Sequence, residues 1–340
     1  MPETTREIVI AALPKGPLQP EHFDLRVSPI PSPRSGELLI RTVLISLDAA
    51  NRAWMQGATY RDAIKAGDVM EGGVIGEVVT STVPQFAAGE IVYGSGKWAE
   101  YACISADAVQ RQPWDPTSPL PLSNRLSVLG IAGKTAYYGL TKIGHPKAGE
   151  TVVVSAAAGS VGMLVGQIAK IMGARAVGIA GGPEKCAWLT EELGFDAAVD
   201  YKAGTLFKDL RAVCPDGIDV YFDNVGGPIL ETVLFQMNLF GRIICCGAVS
   251  QYDTATPSGP RNVPGLIVVK RLRMEGFIAM DYPEDEATAE ADLTRWLTQG
   301  SLQVAEDIVE GLKNAPGALI GLLAGENRGK RMIRVAPDPI

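Results

Sequence analysis

Small residues follow an apolar run near the middle of the chain, in the segment Ser155-Ala-Ala-Ala-Gly-Ser-Val-Gly162. Glycine at two of these positions lets backbone N–H groups approach a pyrophosphate, and a helix starting there adds the positive end of its dipole. Ala156 stands where the common G-x-G-x-x-G pattern has its first glycine. Alone the match is weak, because small residues also occur where a strand and a helix pack tightly. The candidate dinucleotide-binding residues of this turn are Gly159, Ser160, Val161 and Gly162.

The elements around the turn strengthen this interpretation. Apolar runs predict strands at 151–155, 175–180, 197–200, 219–223 and 241–247, and helical patterns lie between them at 162–172, 184–193 and 229–238. Continuous apolar strands are typical of a parallel sheet covered on both faces. Regular strand–helix alternation predicts an α/β fold, with a doubly wound parallel sheet of the Rossmann type. The glycine turn heads this series.

The first part of the chain has a different pattern. Short apolar or alternating runs at 37–46, 73–79 and 90–93 are separated by turns, which predicts an antiparallel, barrel-type domain. Prolines crowd the loop before Leu126, and the alternating run 330–335 predicts a strand that returns to this domain. From the 340 residues we expect two domains. The first, for the substrate, comprises residues 1–128 and 308–340, and the second, for the cofactor, comprises residues 129–307.

The residues after the second predicted strand indicate which dinucleotide binds. An NAD site needs an acidic side chain about 20 residues after the glycine turn, to bind the ribose hydroxyls. No acid ends this strand, and Glu184 lies farther on, in the first turn of a helix. Lys185 can instead offer an ammonium group to a 2′-phosphate, and Tyr201 a hydroxyl. The alternative for Lys185 is an ordinary solvated helix residue.

Composition excludes several classes of function. The chain has a net charge of −7 and no stripe of basic residues that could bind the phosphates of a nucleic acid. The five cysteines are scattered without a CxxC spacing, so we expect no disulfide framework and a reducing compartment. The start of the chain lacks the pattern of a signal peptide, and no apolar run approaches the roughly 20 residues that span a bilayer. We therefore expect a cytoplasmic protein without a nucleic-acid or membrane partner.

Metal-ligating residues are scarce. The chain has only two histidines, His22 and His145, and no cysteine cluster in the first domain. A catalytic zinc site needs Cys, His and acidic ligands that converge with one position open. We therefore predict no metal site, and both histidines are interpreted as surface or turn residues. The scarcity of ligands therefore disfavours simple alcohol oxidation, a reaction in which zinc would polarise the substrate.

Several longer motifs identify a family. They are Ile45-Ser-Leu-Asp48, Gly133-Lys-Thr-Ala-Tyr-Tyr-Gly139, Val154-Ser-Ala-Ala-Ala-Gly-Ser-Val-Gly162, Phe222-Asp-Asn-Val-Gly-Gly227, Cys246-Gly-Ala-Val-Ser-Gln-Tyr252, Arg273-Met-Glu-Gly-Phe277 and Gly325-Glu-Asn-Arg-Gly-Lys330. With these motifs the whole chain resembles the medium-chain dehydrogenase/reductase superfamily. Within it, the chain resembles the zinc-free group of prostaglandin (leukotriene B4) reductases, alkenal double-bond reductases and curcumin-reductase-like enzymes. The resemblance implies a Rossmann domain with a GroES-like barrel-type domain, and NADPH as the cofactor.

The resemblance also implies roles for individual residues. The turn Gly159–Gly162 takes the pyrophosphate, and Lys185 with Tyr201 takes the 2′-phosphate. The residues implied to line the ribose and nicotinamide are Asn224, Cys246, Gly247, Ala248, Ser250, Tyr252, Phe277 and Asn327. Asn224 and Cys246 follow predicted strands, which agrees with binding beyond the carboxyl ends of strands in such sheets. The alternative for Asn224 is a turn residue before two glycines.

Zinc-free members of the resembled group reduce the carbon–carbon double bond of α,β-unsaturated carbonyls: hydride reaches the β-carbon and a proton the α-carbon. Two tyrosines common in relatives are replaced here by Ala50 and Val269. Tyr60 still matches a pocket tyrosine and is the candidate proton or hydrogen-bond donor, with Asn51 and Tyr252 as secondary polar candidates. The alternative for Tyr60 is a core or rim aromatic. The smaller side chains predict a wider pocket, for bulky or aryl substrates.

Two other functions remain open at this point. Zinc-free relatives in the superfamily also reduce quinones with NADPH, and the missing tyrosines are compatible with an NADPH-binding protein of weak catalysis. Members of the group are often dimers, and an exposed sheet edge can pair with its twin, so we expect a homodimer acting on a small molecule.

Overall fold

The computed structural model describes residues 2–256 and 258–339 and divides into two compact units. The first unit comprises the described residues up to Leu126, the segment Glu306–Glu326 and the residues from Arg331 onward. The second unit comprises Ser127–Ala305 together with Asn327–Lys330. The sequence predicts this last segment in the first domain. It groups with the second because the backbone N–H of Gly329 donates to the carbonyl of Ala158 at 2.8 Å.

The strands, in chain order, are β1 (Thr4–Ile10), β2 (Phe23–Pro29), β3 (Glu37–Ser46), β4 (Glu71–Ser81), β5 (Ile91–Lys97), β6 (Tyr101–Ser105), β7 (Val109–Arg111), β8 (Thr151–Ser155), β9 (Arg175–Ala180), β10 (Ala197–Asp200), β11 (Ile218–Asp223), β12 (Met237–Cys245), β13 (Arg273–Gly276), β14 (Glu306–Glu310) and β15 (Lys330–Arg334). The α-helices are α1 (Ala49–Trp54), α2 (Ile131–Tyr138), α3 (Gly162–Ile171), α4 (Pro183–Glu191), α5 (Leu206–Val213), α6 (Gly227–Leu234), α7 (Val263–Lys270), α8 (Glu286–Thr298) and α9 (Ala315–Leu323). Short 3₁₀ turns and one π-helical turn, Gly139–Gly144, connect them.

The first unit is built on an antiparallel sheet of order β14-β15-β3-β4-β5-β7, with β6 also paired to β3. Strand β3 contains two apolar runs, Leu38–Ile40 and Val43–Ile45, and is buried along most of its length, because it pairs on both edges. A separate hairpin pairs β1 with β2. Ile40, Ile45 and Trp98 are fully or almost fully buried in the core of this unit. The structure confirms the predicted antiparallel domain.

The second unit contains a parallel sheet of order β10-β9-β8-β11-β12-β13. The chain leaves β8 toward β9 and β10 on one side, and then returns to place β11 on the other side. Val152, Val153 and Val154 of β8 are 0% exposed because helices cover both faces of the sheet. The predicted doubly wound fold is therefore confirmed, and its topological switch point lies between β8 and β11.

Helix α6 and strand β12 have different bounds from those predicted from the sequence. The helix predicted over 229–238 is α6, which ends at Leu234, and the next strand begins at Met237. Leu230, Val233 and Met237 are spaced as on one helix face, but Met237 pairs with Ile218 of β11. The long-range pairing overrides the local helical pattern, so β12 starts four residues earlier than the predicted strand.

Among the described residues, the structure contains no helix that is both long enough and apolar enough to cross a membrane.

Candidate functional site

Polar side chains meet at the carboxyl ends of β8 and β11, beside the switch point. Ser155 ends β8, and its hydroxyl donates to Asp223 Oδ1 at 3.2 Å. The backbone N–H of Asn224 donates to Ser155 Oγ at 3.0 Å, and its side-chain amide donates to the Ser155 carbonyl at 2.8 Å. These bonds tie the two strand ends together at the place where open α/β sheets bind their ligands.

Asp223 organises the turn that follows β11. Its Oδ1 accepts hydrogen bonds from the Tyr221 hydroxyl at 2.9 Å and from the N–H groups of Val225 and Gly226 at 3.0 and 2.8 Å. Burial raises the pKa of the Asp223 carboxyl, and these hydrogen bonds oppose part of that rise. We did not single out Asp223 from the sequence, although an acid that ends a buried strand was the available signal. Its role is to shape the segment that carries Asn224.

The glycine turn has the close packing that its sequence predicts. Gly159 N–H donates to the Ala156 carbonyl at 2.9 Å, and helix α3 begins at Gly162. A Cβ atom on Gly162 would lie 2.3 Å from the Ala156 oxygen and 2.7 Å from Ala157 Cα, whereas one on Gly159 would lie 3.2 Å from the same oxygen. Only glycine therefore fits at position 162. Ser160 and Val161 lie half-exposed between the two glycines, at the N-terminus of α3.

Ala156 has a left-handed backbone, with φ of 48°. This conformation explains why the common pattern has glycine at this position, because a side chain there costs about 1–2 kcal/mol. The turn keeps its shape with alanine, since the next residue, Ala157, is anchored by a hydrogen bond from its N–H to the Ile179 carbonyl at 3.0 Å.

A second candidate subsite lies at the end of β9. Lys185 is in the first turn of α4, and its ammonium donates to the Asn327 carbonyl at 2.6 Å. Tyr201 lies beside Gly181, where an added Cβ would come within 3.0 Å of its ring and 3.0 Å of Lys202 Cε. The structure thus brings Lys185, Tyr201 and Asn327 of the predicted set into one unit, and adds Lys202.

The segment Asn327–Lys330 lies along the glycine turn. Gly329 forms an isolated parallel bridge with Gly159, and the Asn327 side-chain amide donates to the Gly329 carbonyl at 2.8 Å. Asn327 is almost fully buried. The segment Asn327–Lys330 is therefore anchored at both ends, to α4 and to the glycine turn. Both anchors are contacts between residues that are far apart in sequence.

The residues after β12 form the opposite side of the Asp223 turn. The N–H groups of Cys246 and Gly247 donate to the Asp223 carbonyl at 2.9 and 3.1 Å. The Ala248 N–H donates to the Tyr252 hydroxyl at 3.0 Å, and Ser250 Oγ donates to the Val225 carbonyl at 2.6 Å. Phe277 packs edge-on against Phe222, with ring centroids 6.4 Å apart. Seven of the eight predicted ribose and nicotinamide residues, all except Asn327, thus belong to this hydrogen-bonded loop system or its edge.

Burial raises the pKa of the Cys246 thiol to about 12, and that of the Cys245 thiol to about 11. Both sulfurs are therefore protonated at neutral pH and unsuited to act as nucleophiles, since the thiolate is the reactive form.

The candidates for the substrate lie on different elements. Ala50 and Asn51 are on α1, where Asn51 is fully buried. Its side-chain amide donates to the Glu71 carbonyl at 2.9 Å, and its oxygen accepts from the Asp48 N–H at 2.7 Å. The Asn51 side chain thus holds the start of α1. Val269, on α7 of the second unit, is 67% exposed.

Tyr60 follows α1 and is 51% exposed. The neighbouring Arg61 stacks over the Trp54 ring, with its guanidinium carbon 4.4 Å from the ring centroid, and pairs with Glu71. The Thr59 N–H donates to the Arg61 carbonyl at 2.9 Å. These contacts hold the segment that presents the Tyr60 phenol.

Within residues 2–256 and 258–339, no group of His, Cys, Asp and Glu is placed to hold a metal ion. His22 lies in a short turn, where its Nδ1 accepts from the Gln19 N–H at 2.9 Å, and His145 ends the π-helical turn with φ of 43°.

Comparison with known proteins covers both units. Residues 6–111 match the family model described as the N-terminal domain of oxidoreductase, and residues 160–295 match the one described as zinc-binding dehydrogenase. The chain is 42% identical to the NADPH-dependent curcumin reductase of Escherichia coli, over 99% of this chain and 98% of the relative. It is 41% identical to prostaglandin reductase 1 of Rattus norvegicus, over 92% of this chain and 94% of the relative.

A crystal structure of CurA from Vibrio vulnificus in complex with NADPH superimposes with a TM-score of 0.92. It is 41% identical in sequence, and the match covers 98% of this chain and 100% of that one. The fold, the family models and the full-length relatives agree. The chain belongs to the medium-chain dehydrogenase/reductase superfamily, in the zinc-free group that includes the prostaglandin, alkenal and curcumin reductases.

Proposed function

We propose that this protein uses NADPH to reduce the carbon–carbon double bond of α,β-unsaturated ketones or aldehydes. The observation that carries the proposal is the joined turn system at the switch point, Ser155 with Asp223 and Asn224, in a chain 42% identical to an NADPH-dependent curcumin reductase. Curcumin itself is a conjugated ketone with aryl rings. Its reductase therefore supports both the reaction class and the expected preference for bulky substrates.

The residues of the second unit fit a phosphorylated dinucleotide. Gly162 allows the close turn at the N-terminus of α3, where backbone N–H groups and the helix dipole favour a pyrophosphate. Lys185 supplies a cation at the end of β9 for a 2′-phosphate. The turns after β11 and β12, held by Asp223, position Asn224 and Tyr252 at the same edge of the sheet. Bound NADPH supplies the hydride.

The protein's own residues must stabilise the enolate that forms when the β-carbon is reduced. A phenol can donate a hydrogen bond to the carbonyl oxygen, or a proton to the α-carbon. Tyr60 is our candidate, because its phenol is half-exposed on a segment held by the stacking of Arg61 on Trp54. Tyr252 is the secondary candidate, since the hydrogen bond from the Ala248 N–H at 3.0 Å holds its phenol on the loop that follows β12. By the resemblance, Ala50 and Val269 each replace a larger ring, and this supports the expectation of a bulky or aryl substrate.

Turnover followed by NADPH absorbance tests the proposal, with aryl enones, acrolein-sized enals and quinones as substrates. We expect aryl enones to be reduced fastest. Faster reduction of small enals would refute the wide pocket, and faster reduction of quinones would favour a quinone reductase. Tight NADPH binding without turnover of any substrate would indicate a cofactor-binding protein of weak catalysis.

Tyr60→Phe tests the assigned phenol. We expect turnover of the best enone to fall by about 100-fold, the lower range for loss of a general acid, with the Kd for NADPH unchanged. Tyr101→Phe, in β6 of the same unit, is the matched control. Unchanged turnover in Tyr60→Phe would remove Tyr60 from the chemistry. The expected homodimer stays a prediction. Strands β10 and β13 are the edges of the parallel sheet, and light scattering on variants of these two strands would test whether either one pairs with a second copy.

A further inference from the structure

Charged side chains of both signs surround the end of β9. In a doubly wound sheet the end of the second strand receives the 2′ position of the adenosine ribose, and there an acid favours NAD and a nearby arginine favours NADP. Here Gly181 and Gly182 follow this strand. The charged side chains around them are the carboxylates Glu184 and Asp200, and the cations Lys185, Lys202 and Arg328.

The two carboxylates have different partners. Asp200 Oδ1 accepts hydrogen bonds from the N–H groups of Gly182 and Lys202, at 2.8 and 2.9 Å, and so holds the local backbone. Glu184 is 87% exposed, and Arg328 Nη2 lies 3.5 Å from its Oε2. A carboxylate at this position repels a phosphate that carries close to two negative charges at neutral pH. Arg328 offsets that repulsion.

The position of Arg328 is set by its neighbours in the chain. Asn327 is held through its carbonyl by the Lys185 ammonium at 2.6 Å, and Gly329 is held through its N–H by the Ala158 carbonyl at 2.8 Å. Arg328 lies between these two anchors. It is 47% exposed, so its guanidinium remains accessible to a ligand. These two backbone contacts therefore hold Arg328 beside α4, the helix that carries Lys185.

We propose that Arg328 determines the preference for NADPH over NADH, by neutralising Glu184 and adding a cation to the 2′-phosphate subsite. This inference rests on the proposed use of NADPH. With Arg328, three cations face two carboxylates around the end of β9. Without it two cations face two carboxylates, and the subsite attracts a dianion less strongly. NADH, which lacks the 2′-phosphate, is bound without this interaction.

Equilibrium binding of NADPH and NADH, followed by fluorescence titration, tests the proposal on Arg328→Gln. We expect the Kd for NADPH to rise about tenfold, as for loss of one charge-assisted interaction, and the Kd for NADH to stay unchanged. The same contrast should appear between 2′,5′-ADP and 5′-AMP. Arg295→Gln is the matched control, because Arg295 is 56% exposed in the same unit and also pairs with one carboxylate, Asp292.

Two further variants sharpen the test. Arg328→Lys keeps the charge and should retain most of the NADPH preference, and Glu184→Gln removes the repulsion and should tighten NADPH but not NADH. Equal weakening of both cofactors in Arg328→Gln, or no change in either, would overturn the role of Arg328. Failure of the wild-type protein to bind NADPH would instead overturn the proposed function.

Discussion

The close approach of Gly162 to the preceding turn gives a sharp prediction. Gly162→Ala places a methyl group 2.3 Å from the Ala156 oxygen and 2.7 Å from Ala157 Cα, and both of these are backbone atoms. An ordinary contact for such a methyl begins at 3.4 Å, so the turn must shift by about 1 Å. Overpacking of this kind costs about 1–3 kcal/mol. We therefore expect the free energy of unfolding to fall by about 2 kcal/mol.

The same shift displaces the N–H groups that a pyrophosphate would meet. We expect the Kd for NADPH to rise at least tenfold, which corresponds to about 1.4 kcal/mol. Urea unfolding and fluorescence titration measure the two effects separately. Gly159→Ala is the graded comparison, because its added carbon would lie 3.2 Å from one oxygen. We expect this variant to cost about 1 kcal/mol, the low end of the range for overpacking.

Gly317→Ala is the control for both measurements. It lies in α9, where an added Cβ would meet nothing within 4 Å, and alanine is about 1 kcal/mol more favourable than glycine in a helix. This variant should be as stable as the wild type or more so, with the same Kd for NADPH. If Gly162→Ala were as stable as the wild type and bound NADPH equally well, the packing argument for the turn would be wrong.

Three other substitutions have defined outcomes. Ala156→Gly should raise the free energy of unfolding by up to about 1 kcal/mol in urea titrations, because relief of the left-handed strain exceeds the added entropy of the unfolded chain. Tyr138→Phe should raise it by about 1 kcal/mol at neutral pH, because the buried hydroxyl has no hydrogen-bond partner among the described residues. Burial raises the pKa of Tyr138 to about 12, so above pH 10 its phenol ionises in the unfolded chain before it does in the folded protein, and the wild type loses stability. Tyr138→Phe should therefore lose less stability than the wild type between pH 9 and about pH 11. Gln167→Leu should lower the melting temperature and cost about 2 kcal/mol, because it leaves the N–H and carbonyl of Gln303 without the side-chain bonds at 2.8 and 3.0 Å; an unchanged melting temperature would contradict this.

Local sequence patterns were sufficient for the strands of the parallel sheet near the glycine turn. The predicted strands 151–155, 175–180 and 197–200 coincide with β8, β9 and β10. Each is a short apolar run bounded by polar residues or glycine, and burial on both faces selects for that pattern. The pattern was insufficient at β12, because Met237 continues the helical spacing of α6 while its pairing with β11 is non-local.

The family, the fold class and the glycine turn could be predicted from the sequence, because they depend on ordered local motifs and on periodicity. The sequence also placed Lys185 near the end of the second strand. Three features could be found only in the folded protein. Arg328 approaches Glu184, Asp223 holds the turns after β11 and β12, and the segment Asn327–Lys330 belongs with the cofactor unit. Those contacts join residues far apart in the chain, and their partners are chosen by packing and hydrogen bonding in the folded protein.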